Sequence, residues 1–210
     1  NSIVRLERTA NRMSVELSQL RSNISTWDFD VLGFRDNSKR SQAESRNEQA
    51  LTAQLIPVAH FIFVTDGCFS DFGVSDEVGY RFIELVARAY ESSERCPYHN
   101  FYHAIDVLQT MHMLMTEVHA AELLSMLDIF AALVAALSHD VGHPGVNNNF
   151  LVATRHPLAM TYNDTAVLEN MHVSRVYKIM ADNPKANIFS KLEPDQWVSA
   201  RKTIVGAVLA

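Results

Sequence analysis

A chain of 210 residues that is 48% hydrophobic and 20% charged, with a formal net charge of −6, suits one domain, or part of a larger one, with a sizeable core. The negative balance argues against a nucleic-acid backbone as partner. Cys68 and Cys96 have neither metal-ligand spacing nor a disulfide framework, and no signal peptide or transmembrane segment is visible. The reading is a cytoplasmic protein with reduced thiols, membrane association of a longer parent being left open.

Val4 to Arg21 alternates polar and apolar residues at helical spacing and reads as a peripheral amphipathic helix within a lead-in of residues 1–26. Asn37 to Gln49 is polar throughout and reads as a solvated loop or the start of a surface helix. Leu51 to Thr65 predicts a helix that Pro57 either kinks or opens, and Asp66 to Gly73 predicts a turn region. Ser75 starts a further helix to about Glu91, with Asp76 and Glu77 in its first turn. Pro97 precedes a helix from Asn100 to His119. Helices are then expected over Glu122–Ser138, Asp164–Met180 and Glu193–Leu209, with Asn163 and Asp164 as the turn and N-cap of the second of these. Few segments alternate β-branched residues and no repeat is present, so the expected fold class is all-α.

Two clusters carry chemistry. The apolar run Leu127 to Leu137 is too short to span a bilayer and long enough for a buried helix, and it delivers His139, Asp140 and His143 to its end. Burying such groups costs several kcal/mol unless they are paired or bound to a metal. Upstream, His99, His103 and Asp106 fall on one helical face at i, i+4 and i+7. Imidazoles with one carboxylate suit a borderline ion such as zinc; an added carboxylate and waters suit magnesium or manganese. Met111, Met113 and Met115 read as core, while His60, His112, His119 and His156 read as ordinary surface or core histidines. His172 is left without an assignment.

Tyr98-His99-Asn100-x-x-His103-Ala104-x-Asp106-Val107, followed by His139-Asp140-x-x-His143-Pro144-Gly145-x-x-Asn148, resembles the catalytic signature of class I 3′,5′-cyclic nucleotide phosphodiesterases. Weaker matches follow the same order: Trp27-Asp28-Phe29-Asp30, then Tyr162-Asn163-Asp164 with Val167-Leu168-Glu169-Asn170, then Ile204-Val205 with Val208-Leu209-Ala210. The resemblance spans residues 27–210. It implies a compact multi-helix catalytic domain that hydrolyses cyclic AMP and/or cyclic GMP to 5′-monophosphates and ends second-messenger signalling. It implies His99 as the general acid, and His103, His139 and Asp140 as metal ligands, with Asp140 bridging two ions, Zn2+ and Mg2+ (or Mn2+). His143 and Glu169 would hold waters on the harder ion, and Tyr98 and Asn148 would line the nucleotide pocket. The partner is the cyclic nucleotide; homodimerisation is left open.

Two departures stand out. Gly142 occupies a position where many family members carry Asp, a glycine associated with branches outside animals such as the trypanosomatid one. The family's last metal-binding Asp and its purine-binding Gln also fall past the equivalent of Ala210. Residues 1–210 are thus expected to be the N-terminal part of a catalytic domain, about three-fifths of it. The 127–137 helix is then expected to lack part of its cover. Two rival readings are another metal-dependent nucleotide phosphohydrolase with a separated His…His-Asp…Asp set, and a catalytically silent nucleotide- or metal-binding regulatory module. The first does not require a His four residues ahead of its first ligand; the second usually loses the acid or a ligand, and here His99, His103, His139 and Asp140 are all present.

Overall fold

A computed structural model describes residues 24–31 and 48–210. Among them all regular structure is helical, as the sequence predicts: α1 (Glu48–Thr65), α2 (Cys68–Asp71), α3 (Asp76–Ala89), α4 (Phe101–Thr116), α5 (Met126–Ser138), α6 (Asn148–Ala153), α7 (Pro157–Thr161), α8 (Val167–Asp182) and α9 (Pro194–Leu209). Short 3-10 turns cover Ala120–Leu123 and Pro184–Ala186. The expected helix from Val4 to Arg21 lies outside the described residues. No helix among them is long and apolar enough to cross a membrane.

Helix α5 is the central element. Ser125 starts it with a reciprocal cap: its hydroxyl accepts from the Asp128 N–H, and the Asp128 carboxylate accepts from the Ser125 N–H. That cap corrects the expected helix over Glu122–Ser138, which is broken at Leu124 and Ser125. Ile129, Phe130, Ala131 and Leu133 to Leu137 are all buried, packed between α4 and α9. The expectation that the 127–137 run lacks cover is therefore wrong, because α9 lies along it.

Phe130 projects from α5 into an aromatic cluster. It stacks on Phe72 at 5.2 Å and meets Phe63, Phe69 and Phe189 edge-on. Such offset and T-shaped contacts add about 0.5–1.5 kcal/mol per pair beyond burial. The cluster joins α1, α2, α5 and the segment before α9, and so fixes the depth at which α5 ends.

Three further details differ from expectation. Pro57 lies inside α1, which begins at Glu48. The turn region 66–73 contains α2, and α6 and α7 were not expected; helices of four to six residues are too short to show periodicity. Asn163 and Asp164 do form a turn, with φ of 52° and 60°, but they do not cap α8. That helix begins at Val167, and the Leu168 N–H is satisfied from a distance by Asn148 Oδ1 at 2.9 Å.

A candidate metal centre at the end of helix α5

Helix α5 terminates at His139, held there by a buried phenol. The Tyr90 hydroxyl donates to the Leu137 carbonyl at 2.9 Å, and the Asp140 backbone N–H is directed at the hydroxyl oxygen of Tyr90. Tyr90 is remote in sequence and carried no signal for this role. Tyr90→Phe should lower the melting temperature by the equivalent of about 1–2 kcal/mol, the usual cost of unpairing a buried group. It should also weaken metal binding while leaving the ligands in place, which calorimetric metal titration will show.

Five histidines and one aspartate then converge. His103 comes from the first turn of α4, where the Asn100 side chain accepts from the Tyr102 N–H and caps the helix. His103 Nε2 lies 3.2 Å from His139 Nε2 and 3.5 Å from Asp140 Oδ2; His139 Nε2 is 3.0 Å from the same oxygen. These donor atoms all fall within 4.8 Å of one another. Two ring nitrogens pointing at each other near 3 Å match the ligand-to-ligand spacing of a shared ion bound at about 2.0–2.1 Å. His139 Nδ1 donates to the Ala136 carbonyl at 2.9 Å, which aims Nε2 inward, where it donates to Asp140 in the metal-free protein and gives up that proton when an ion binds. The donor set fits a divalent ion.

The electrostatics agree with that reading. Burial alone would raise the Asp140 carboxyl, but its hydrogen bond to His139 and the charges of His139, His172 and His99 outweigh it and bring it to about 2. Burial, then the neighbouring His139, lowers His103; burial, then His99, lowers His143 to about 4; burial lowers His172. Their lone pairs are thus free at neutral pH, as ligands require. His139 alone shifts upward: burial opposes its charge, but the pairing with Asp140 prevails. In metal-free protein, a carboxyl depressed on folding stabilises above its unfolded pKa of about 3.9, and that contribution is lost as pH falls towards 2. Acid unfolding followed by circular dichroism should accordingly be shallower over this range in Asp140→Asn.

His172 also belongs to the site. It is buried, donates through Nδ1 to the Val141 carbonyl at 3.0 Å, and places Nε2 3.6 Å from Asp140 Oδ1. The rings of His99, His143 and His172 form a stack, with centroids 4.0 Å and 5.7 Å apart. Tyr98 is exposed, its ring 4.6 Å from that of His103 and 4.9 Å from that of His99. Asn148 Nδ2 donates to both Glu169 oxygens at 3.0 and 3.2 Å while Oδ1 caps α8, so its side chain is engaged in placing Glu169. Asp106 is exposed, and only its charge reaches His103. His112 is a core histidine paired with Asp66 at 2.8 Å, and Met113 and Met115 are core, as expected.

The model of the family described as 3′5′-cyclic nucleotide phosphodiesterase matches residues 98–210, the stretch holding all of these site residues. The chain belongs to the 3′,5′-cyclic nucleotide phosphodiesterase family. Among its relatives in that family is the 3′,5′-cyclic-nucleotide phosphodiesterase regA of Dictyostelium discoideum, 35% identical over 89% of this chain and 21% of that protein. Another is the dual specificity calcium/calmodulin-dependent phosphodiesterase 1C of Mus musculus, 33% identical over 90% of this chain and 25% of that protein. The solved phosphodiesterase domain of the RhoPDE fusion protein of Salpingoeca rosetta superposes with a TM-score of 0.74 at 30% identity. That match covers 89% of this chain and 52% of the solved one. The chain thus spans about half of a solved family domain, and a quarter or less of these two curated relatives.

Proposed function

We propose that residues 1–210 form the N-terminal part of a phosphodiesterase catalytic domain that hydrolyses cyclic AMP and/or cyclic GMP to 5′-monophosphates in the cytoplasm. Residues 27–210 would be its family-like region. The observation that carries this reading is the meeting of His103, His139 and Asp140 from two helices, with His99 four residues ahead of His103. His103, His139 and Asp140 would hold a zinc ion, and Asp140 would share a second, harder ion, Mg2+ or Mn2+, with waters held by His143 and Glu169. When bound, such ions neutralise phosphoryl charge and acidify water.

The chain's own residues supply the rest. His99 would deliver the proton that the departing 3′ oxygen needs and regain one from solvent. The face of His99 is fixed by its stack on His143. Tyr98 offers an exposed aromatic face to a purine beside it. Asn148 fixes Glu169 and contributes one wall.

Release of 5′-monophosphate from cyclic AMP and cyclic GMP by the full-length protein, with and without chelator, tests the reading. Chelator-sensitive release supports it. Turnover of nucleoside triphosphates instead would favour the rival phosphohydrolase, and metal binding without turnover of either would favour the silent module.

A further inference from the structure

Beside the centre described above lies a second group of donors that the proposed hydrolysis does not use as ligands. Cys96 is buried in the turn before Pro97. Its Sγ lies 3.8 Å from His143 Nδ1. One donor atom from each of Cys96, His99 and His143 lies within 4.8 Å of the others; the His99 ring now stacks on His143 at 4.0 Å and 15°, so it turns out of that stack to share an in-plane ion. A tetrahedral ion bound at about 2.3 Å to sulfur and 2.0–2.1 Å to nitrogen sets its S and N ligands about 3.6 Å apart, close to the observed separation.

The geometry points to a third metal site, Cys96–His99–His143, that takes a thiophilic ion such as Zn2+ or Cd2+ and inhibits the enzyme by occupying His99. Thiolate selects such ions over magnesium, so the site discriminates against the harder of the two ions proposed for turnover. The surroundings accommodate the change. Burial pushes the Cys96 thiol up, the His99 and Gly145 backbone N–H groups that face the sulfur offset part of that rise, and a bound ion displaces the remaining proton. The Gly145 N–H now donates to His143 Nδ1 at 3.0 Å; when an ion takes that lone pair, the sulfur remains as its acceptor. On binding, the thiol proton leaves to solvent and no oxidant or reductant is needed. His99 then has no lone pair with which to hold a proton. This inhibitory effect rests on the role proposed for His99; the site itself does not.

The test is titration of the full-length enzyme, already loaded with its two catalytic ions, with Cd2+. Ultraviolet difference absorbance reads the thiolate-to-cadmium charge transfer, and turnover is followed in parallel. The main centre contains no sulfur, so cadmium exchange there gives no band. The expected result is one band per chain that saturates together with the loss of turnover. Cys96→Ser and Cys96→Ala should abolish the band and move inhibition to concentrations higher by at least roughly tenfold. Cys68→Ser should keep both, and melting curves confirm that each variant is folded. Absence of the band, or its persistence in both folded Cys96 variants, overturns the site. A Cys96-dependent band with undiminished turnover overturns the inhibition, and it places the fault in the role given to His99.

Discussion

Asp140→Ala is expected to abolish turnover and strip the bound metal, and His139→Ala to do the same. Asp140 faces His103, His139 and His172 together, at 3.5, 3.0 and 3.6 Å. Its replacement leaves imidazoles that are mostly neutral and supplies no charge to offset a dication. Mass-spectrometric metal content decides the matter, with thermal denaturation as a second readout. In the wild type, metal at a hundred times its dissociation constant stabilises by about 2.7 kcal/mol, and the variant should show no such rise in melting temperature. Normal occupancy with retained turnover in both variants would remove the two residues from the metal.

His99→Asn is expected to lower kcat by roughly 10²–10⁴, the scale of a lost general acid, with metal content near that of the wild type. His99 stacks on His143 at 4.0 Å and meets the His103 ring edge-on at 6.0 Å, but it gives no donor atom to the His103–His139–Asp140 trio. Removing it therefore separates proton delivery from metal binding. On a cyclic substrate whose leaving group is already acidic the deficit should shrink, because that oxygen departs without a proton. Equal losses on both substrates would mean that His99 acts in another way.

The parts of this molecule that could be read from the sequence are those whose signal is local. His99 and His103 are four residues apart, and His139, Asp140 and His143 close one apolar run, so both halves of the centre announced themselves. His99 nonetheless precedes α4, whose N-cap is Asn100, and does not share a helical face with His103 and Asp106. Long helices showed their period. What stayed hidden depends on contacts made across the fold. His172 meets the Val141 carbonyl across 31 residues; Tyr90 meets Leu137, and Cys96 meets His143, each across 47. None of the three has a neighbour in sequence that hints at its partner. The misread elements have local causes as well. Asn163 and Asp164 belong to the residue types that cap helices and to those that tolerate left-handed backbone, and here the second preference won. Ser125 with Asp128 three residues on is a legible cap, and it outranks the apolar continuity that suggested an earlier start.

Gly142 has φ of 75°, and a Cβ placed there would fall within 1.4 Å of the Arg175 guanidinium. Arg175 is exposed and can swing aside, so the obstacle is a rearrangement, added to the roughly 1 kcal/mol that an ordinary side chain pays for left-handed backbone. The two positions are 33 residues apart in the chain, yet they form one unit in sequence space. A lineage that acquires Asp at 142 has to re-aim or shorten residue 175 first, or gain a carboxylate–guanidinium pair in the same step. The order of those substitutions is therefore historical information, and related sequences with a side chain at 142 should reveal it through the residue they carry at 175.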